Sequence, residues 1–464
     1  MFQKLFLTAS MLATSVFAQV PGTLTPEVHP SLATQQCTKA GGCVTVNTSI
    51  VLDSQYRWMH NVGGHTNCVN TGFNSTFCPD AATCAKSCAL EGVDYASYGI
   101  HTSGSSLTLN LFKQENNVTT QSSPRVYLLA NETTYDMFHL LNKELTFDVD
   151  VSQVPCGING ALYLSEMDPT GDSSDLNKAG AKYGTGYCDA QCPVNNFVKG
   201  VVSSILALLT PFSNLFQANL NMTNGACCNE MDIWEANGAA TAFTPHPCNA
   251  TGVLSCQGTQ CGRGIGNKYL GVCDSGGCDY NAYRMGNQNF YGPGKVVDTT
   301  KPFTVITQFI TSDCTDNGTL SSIKRLYVQG GNVIANAAVN IPGMAPQNNI
   351  DNAYCASEKK VMGGTDAFTN QGGMSQMGHA LSRGMVLIFS IWMDNGSGMQ
   401  WLDASSPATA NSTTPGVARG PCSATSGDTT MLTAKYPNAA VTFSNIKVGE
   451  LQSTFGKPAA ASKN

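Results

Sequence analysis

Residues 302–310 read PFTVITQFI and residues 143–150 read KELTFDVD. Both runs are rich in β-branched and aromatic residues, and polar residues recur between the apolar ones. That is the pattern of a strand with at least one face in a core. Working outward, the same reading applies to 123–130 (SPRVYLLA), 322–328 (SIKRLYV), 385–391 (MVLIFSI) and 440–447 (AVTFSNIK), each bounded by Gly, Asn, Asp or Ser turns. Helical periodicity is confined to short stretches at 80–88 (DAATCAKSC), at 354–361 and near 371–382. Many strands without long helices between them predict an all-β, antiparallel β-sandwich rather than a parallel α/β sheet. No Pro/Ser/Thr linker or repeat divides the chain. One domain is therefore expected over 19–455, with 456–464 (GKPAAASKN) as a loose tail.

Composition narrows the partner. The 464 residues carry a net charge of −6 from 25 Lys plus Arg and 31 Asp plus Glu, and only 12% are charged. Disorder is excluded because such chains combine high charge with few apolar residues. Nucleic acid is excluded because nothing here would neutralise a row of phosphates. A neutral, polar partner fits better.

Residues 1–18 read as a secretory signal. Lys4 supplies the positive start, Leu5 to Phe17 the apolar stretch, and Ala18 the small residue before Gln19. The stretch is shorter than the roughly 20 apolar residues that span a bilayer, so no membrane association is expected. Export suits the 19 cysteines, all of which follow the signal. A structural zinc site is a poor alternative, because Cys227 and Cys228 are adjacent and paired C-x-x-C knuckles are missing. Sequons begin at Asn47, Asn74, Asn117, Asn131, Asn221, Asn249, Asn317, Asn395 and Asn411, which predicts a sugar-tolerant surface.

The sharpest chemical feature is 227–237, CCNEMDIWEAN, where Glu230, Asp232 and Glu235 crowd a chain poor in acids. Paired carboxylates suit glycosidic hydrolysis: one must be protonated to supply the leaving oxygen, the other ionised to meet the developing positive charge. A separation of about 5–5.5 Å allows direct attack with retention, and a wider gap admits water and inverts. Spacing poses a difficulty. On a flat strand Glu230 and Glu235 would lie on opposite faces, roughly 16 Å apart. They can serve one bond only if the strand curves or bulges, and Ile233-Trp234 is the expected place.

These motifs resemble glycoside hydrolase family 7, secreted cellulases with a curved, jelly-roll, concanavalin-like sandwich and disulfide-stapled loops. The resemblance rests on EMDIWE, GTGYCDAQCP (184–193), YGPG (291–294), DVDVSQVPCGINGALY (148–163) and TPGVARG (414–420). It implies Glu230 as nucleophile, Glu235 as acid/base and Asp232 as the acid that orients the nucleophile. It further implies the pairs Cys37–Cys43, Cys68–Cys88, Cys78–Cys84, Cys156–Cys422, Cys188–Cys228, Cys192–Cys227, Cys248–Cys273, Cys256–Cys261 and Cys278–Cys355, with Cys314 unpaired. No metal or other cofactor is implied, and a monomer is expected.

The implied ligands are cellulose chains and cello-oligosaccharides. By the same resemblance Trp58, Trp392 and Trp401 are sugar platforms, and Trp234 packs beneath the site. Asn159, Tyr163, Tyr187, Asp189, Gln191, His246, Arg284 and Arg419 are implied sugar contacts. Chain length and the loops at 248–279 and 403–422 resemble the cellobiohydrolase branch, which implies cellobiose release from chain ends. Some segments look closer to endoglucanases: PGTLTPEVHP (21–30), QYRWMH with Tyr56, Gly396 in place of a tyrosine-bearing loop, Gly276 in place of a product-side acid, and Lys268 at an arginine position. Segment 195–226 departs most, with Ile205, Leu206, Leu208 and Leu209 where related enzymes carry a polar loop. No carbohydrate-binding module is visible.

Overall fold

The computed structural model describes residues 19–116, 118–199, 216–264 and 266–455. The expected signal, the tail and the apolar residues Ile205 to Leu209 lie outside the described residues. The strands that position the site, numbered in chain order, are β1 (Ser49–Leu52), β2 (Arg125–Asn131), β3 (Lys143–Asp150), β4 (Asn159–Ser165), β5 (Glu230–Ala236), β6 (Thr241–His246), β7 (Phe303–Thr311), β8 (Leu320–Gln329), β9 (Met385–Trp392) and β10 (Ala440–Glu450).

Two large sheets result. One runs β1–β2–β9–β4–β5–β6 and ends on the short strand Tyr280–Asn281, every pairing antiparallel. The other runs β8–β7–β3–β10 antiparallel, and Thr34–Thr38 then joins β10 in parallel. The sequence runs 143–150, 302–310, 322–328 and 440–447 fall in this second sheet; 123–130 and 385–391 fall in the first.

The sheets bury a shared core. Trp234 of β5 meets Phe147 of β3 at 6.2 Å and Phe303 of β7 at 5.8 Å between ring centroids, while Phe389 of β9 meets Phe443 of β10 at 5.6 Å. Edge-on and tilted aromatic contacts of this kind contribute about 0.5–1.5 kcal/mol each beyond area burial. β4 is buried along its whole length, since one face sits on this core and the other floors a cavity.

Three helices occupy the expected places: α1 (Ala81–Ser87), α2 (Asn352–Met362) and α3 (Gly373–Arg383); the helix at Thr429–Lys435 and the single turns at Ala367–Asn370 and Gln400–Asp403 were not expected from the sequence. Asp80 and Asp351 cap the first two by accepting from Thr83 N (2.8 Å) and Tyr354 N (2.7 Å). All nine disulfides form in the pairing given above, and Cys314 is free and exposed. Among the described residues no helix is long and apolar enough to cross a membrane.

Candidate active site

The register of β5 resolves the spacing difficulty. Across β4, Leu162 opposes Trp234 and Tyr163 opposes Asp232, which leaves Ile233 without a partner. Across β6, Thr244 opposes Asp232 and Ala242 opposes Glu235, again one residue too many on β5. This bulge shifts the alternation by one. Glu230, Asp232 and Glu235 consequently all line one cavity of about 730 Å³, while Met231, Ile233 and Trp234 enter the core.

A cation from the opposite sheet holds the bulge. Arg325 of β8 is 1% exposed and donates to the Ile233 carbonyl through Nη2 and to Thr307 Oγ1 through Nε at 3.2 Å. Its guanidinium lies 4.4 Å from the Phe243 ring centroid, and among the described residues no carboxylate pairs with it. Burial pushes its pKa down, so the fold carries a charge it has not neutralised.

Hydrogen bonds distinguish the acids. Glu230 Oε2 accepts from Ala190 N at 3.1 Å. With its amide turned nitrogen-first, Gln191 donates to Glu230 Oε2 at 3.1 Å and to Asp189 Oδ1 at 3.3 Å. Glu235 Oε1 accepts from Asn159 Nδ2 at 2.9 Å, and Asn159 Oδ1 in turn accepts from Ala236 N at 3.0 Å. Burial first, then the charge of Asp232, raises both glutamates well above the usual carboxylate range. The pair therefore favours holding a proton, and the greater number of donors at Glu230 makes it the better anion.

His246 faces Asp232, with Nε2 2.9 Å from Oδ2, and its Nδ1 lies 2.8 Å from the Asp274 carbonyl. Burial opposes its charge, yet the bond to Asp232 and the nearby Glu230 lift its pKa to about 10. Glu230, Asp232 and His246 offer ligand atoms within 4.8 Å of one another. The close contact of His246 with Asp232 makes this trio a charge-paired network.

Tyr163, Tyr187, Asp189 and Gln191 form the wall beside Glu230. The Tyr163 and Tyr187 hydroxyls are 2.9 Å apart, and Tyr187 donates to Asp189 Oδ2 at 2.7 Å. Arg125, not anticipated from the sequence, stacks 3.4 Å from the Tyr187 ring centroid and donates to Asp53 through Nε at 2.7 Å. Trp392 and Trp401 stack at 6.0 Å toward the other end, where Arg284 and Arg419 surround Asp279. Trp58 and Asn159 are not on the cavity wall. Trp58 is 38% exposed near the β1 edge, packed on His60 at 4.2 Å, with its indole nitrogen donating to Asn67 at 2.7 Å. Asn159 stands behind Glu235 and orients it.

The sequence did carry a signal for Arg325. Strand parity places it on the side of buried Ile323 and Tyr327, where an arginine demands a reason. Asp279, Lys359 and Tyr269, also on the wall, stand in loops or a helix with no such pattern.

A sequence profile described as Glycosyl hydrolase family 7 matches residues 21–455. A cellobiohydrolase of that family from Daphnia pulex is 42% identical, with a TM-score of 0.86 over 94% of this chain and 100% of that one. The endocellulase EGI of Humicola insolens is 40% identical, with a TM-score of 0.80 over 94% and 100% of the two chains. A cellobiohydrolase from Melanocarpus albomyces, complexed with cellotetraose, is 38% identical, with a TM-score of 0.82 over 94% and 99%.

Proposed function

The chain belongs to glycosyl hydrolase family 7, as a cellulase acting on β-1,4-glucans, and we propose that it cleaves cellulose with retention and releases cellobiose from reducing ends. The observation that carries the mechanism is the bulge at Ile233-Trp234, which returns Glu235 to the face of Glu230. Glu235, held by Asn159, protonates the leaving oxygen while Glu230 attacks the anomeric carbon. Glu235 then takes a proton from water, and that water releases the sugar from Glu230. Asp232, paired with cationic His246, orients the nucleophile. Trp58, Trp392 and Trp401 offer flat apolar faces to sugar rings. Tyr163, Tyr187, Asp189, Gln191, Arg284 and Arg419 supply the polar contacts. Residues 19–455 act as one catalytic unit, exported by the leader at 1–18, and the nine disulfides suit an oxidising compartment.

End-on release is supported by the loop after Trp401, which Cys156–Cys422 ties down beside the cavity. A specific observation favours internal cleavage as the second reading. The turn at Asp394 closes on itself, with Gly396 N donating to Asp394 Oδ1 at 2.8 Å, and extends no aromatic roof. Two measurements decide. Proton NMR of fresh cellotetraose hydrolysate should show β-cellobiose before mutarotation; α-anomer first would overturn retention. On amorphous cellulose, soluble cellobiose should dominate, whereas abundant new ends on the insoluble fraction would establish internal cleavage.

A further inference from the structure

Hydrolysis of a neutral chain leaves part of the cavity's charge unused. The groove crosses the strands from Tyr56, just after β1, to the loops beyond β6. At that far end Lys268, Arg284, Lys359 and Arg419 line the wall. Arg284 pairs with Asp279 and, at 2.6 Å, with Glu358; Lys359 reaches Glu358 at 3.1 Å, and Arg419 reaches Asp279 at 3.4 Å. Three cations thus share two carboxylates.

Lys268 is left over. It makes no ion pair among the described residues, and its ammonium lies 5.6 Å from the ring centroid of Tyr269, itself 38% exposed. A Cβ added to Gly276 would stand 4.0 Å from Lys268 Nζ and 3.7 Å from Asp274 Oδ1. That Asp274 oxygen is already engaged by Gly276 N at 3.2 Å and Gly277 N at 3.0 Å. Lys268 and Gly276 both line the cavity, and a glycine at 276 puts no side chain of its own beside the ammonium. Counting Asp274, Asp279 and Glu358 against the four cations still leaves one positive charge in excess.

Glu230 attacks an anomeric carbon, so the sugars beyond Glu235 carry the reducing end of the chain. A reducing end oxidised at C1 is an aldonate, with a carboxylate at that terminus. We propose that this end of the cavity accepts carboxylate-terminated glucans, Lys268 supplying the countercharge. The cleavage remains the same hydrolysis, one water consumed per bond, with cellobionate in place of cellobiose as the first product. The inference rests on the proposed orientation of the chain in the groove.

Calorimetry with cellobiose and cellobionate tests it on the full protein. At low salt cellobionate should bind about twofold to fivefold tighter than cellobiose, the range of a partly exposed ion pair, and the advantage should shrink as salt rises. Lys268→Gln should erase the preference and Lys268→Arg should retain it. Equal or weaker binding of cellobionate, or an unchanged ratio in Lys268→Gln, would overturn the proposal. Failure of both sugars to bind would instead overturn the reading of this end as the product side.

Discussion

Glu230 and Asp279 are buried carboxylates on the wall of one cavity, and their surroundings move them in opposite directions. Burial acts first on both and pushes each upward. At Glu230 the next influences are Asp232 and Asp189, and like charge adds to the upward push. At Asp279 the next are Arg284 and Arg419, which overturn burial and bring its pKa to about 2. The middle of the groove therefore favours holding a proton, and its far end keeps its acid ionised among cations. Burial alone does not make a catalytic acid; the sign of the neighbouring charge decides.

The contrast can be broken most strongly at the protonated glutamates. Glu235→Gln should lower kcat on cellulose about 10²–10⁴-fold, the usual contribution of a positioned acid, and the loss in kcat/KM, which reports the first bond cleavage, should be smaller on an aryl cellobioside whose leaving group needs no proton. An equal loss of kcat/KM on both substrates would remove Glu235 from the acid role. Next comes the bulge. Arg325→Met should reduce kcat by up to about 10²-fold, because Glu235 shifts once the Ile233 carbonyl loses its donor. Stability should change little, since the two lost hydrogen bonds are offset by removal of a buried charge. Unaltered kcat would show that the bulge holds itself.

Two substitutions then test the signs. Asp279 sits below its ordinary value, so its stabilisation is present above pH 3.8 and is lost as pH falls through about 2. Asp279→Asn should cost about 2–3 kcal/mol in urea denaturation at pH 7, with the deficit closing toward pH 2. Glu230 sits above its ordinary value of 4.5, so the folded protein pays for its ionisation only at higher pH. Glu230→Gln should therefore raise Tm slightly at neutral pH and leave it unchanged below pH 4.5. A destabilised Glu230→Gln or a neutral Asp279→Asn would erase the difference between the two carboxylates.

Much of this was legible before any coordinates. Strand runs such as PFTVITQFI declare themselves through β-branched and aromatic residues. The acid trio stood out because the chain has so few charges, and the need for a bulge followed from counting residues between Glu230 and Glu235. Lys359 and Asp279 were not legible, because contacts between a helix and a distant loop leave no periodic trace. Trp58 was legible as an aromatic but not as one outside the central cavity.

Local pattern and residue chemistry determined the elements, the carboxylates and the parity problem they pose, because strand alternation acts between neighbours in the chain. Tertiary structure decided how that problem is solved and which way each carboxylate titrates. Arg325 reaches Ile233 from the other sheet, and Arg419 reaches Asp279 across 140 positions of sequence. Electrostatic shifts depend on distance through space and on exclusion of water, and neither is written in the order of residues.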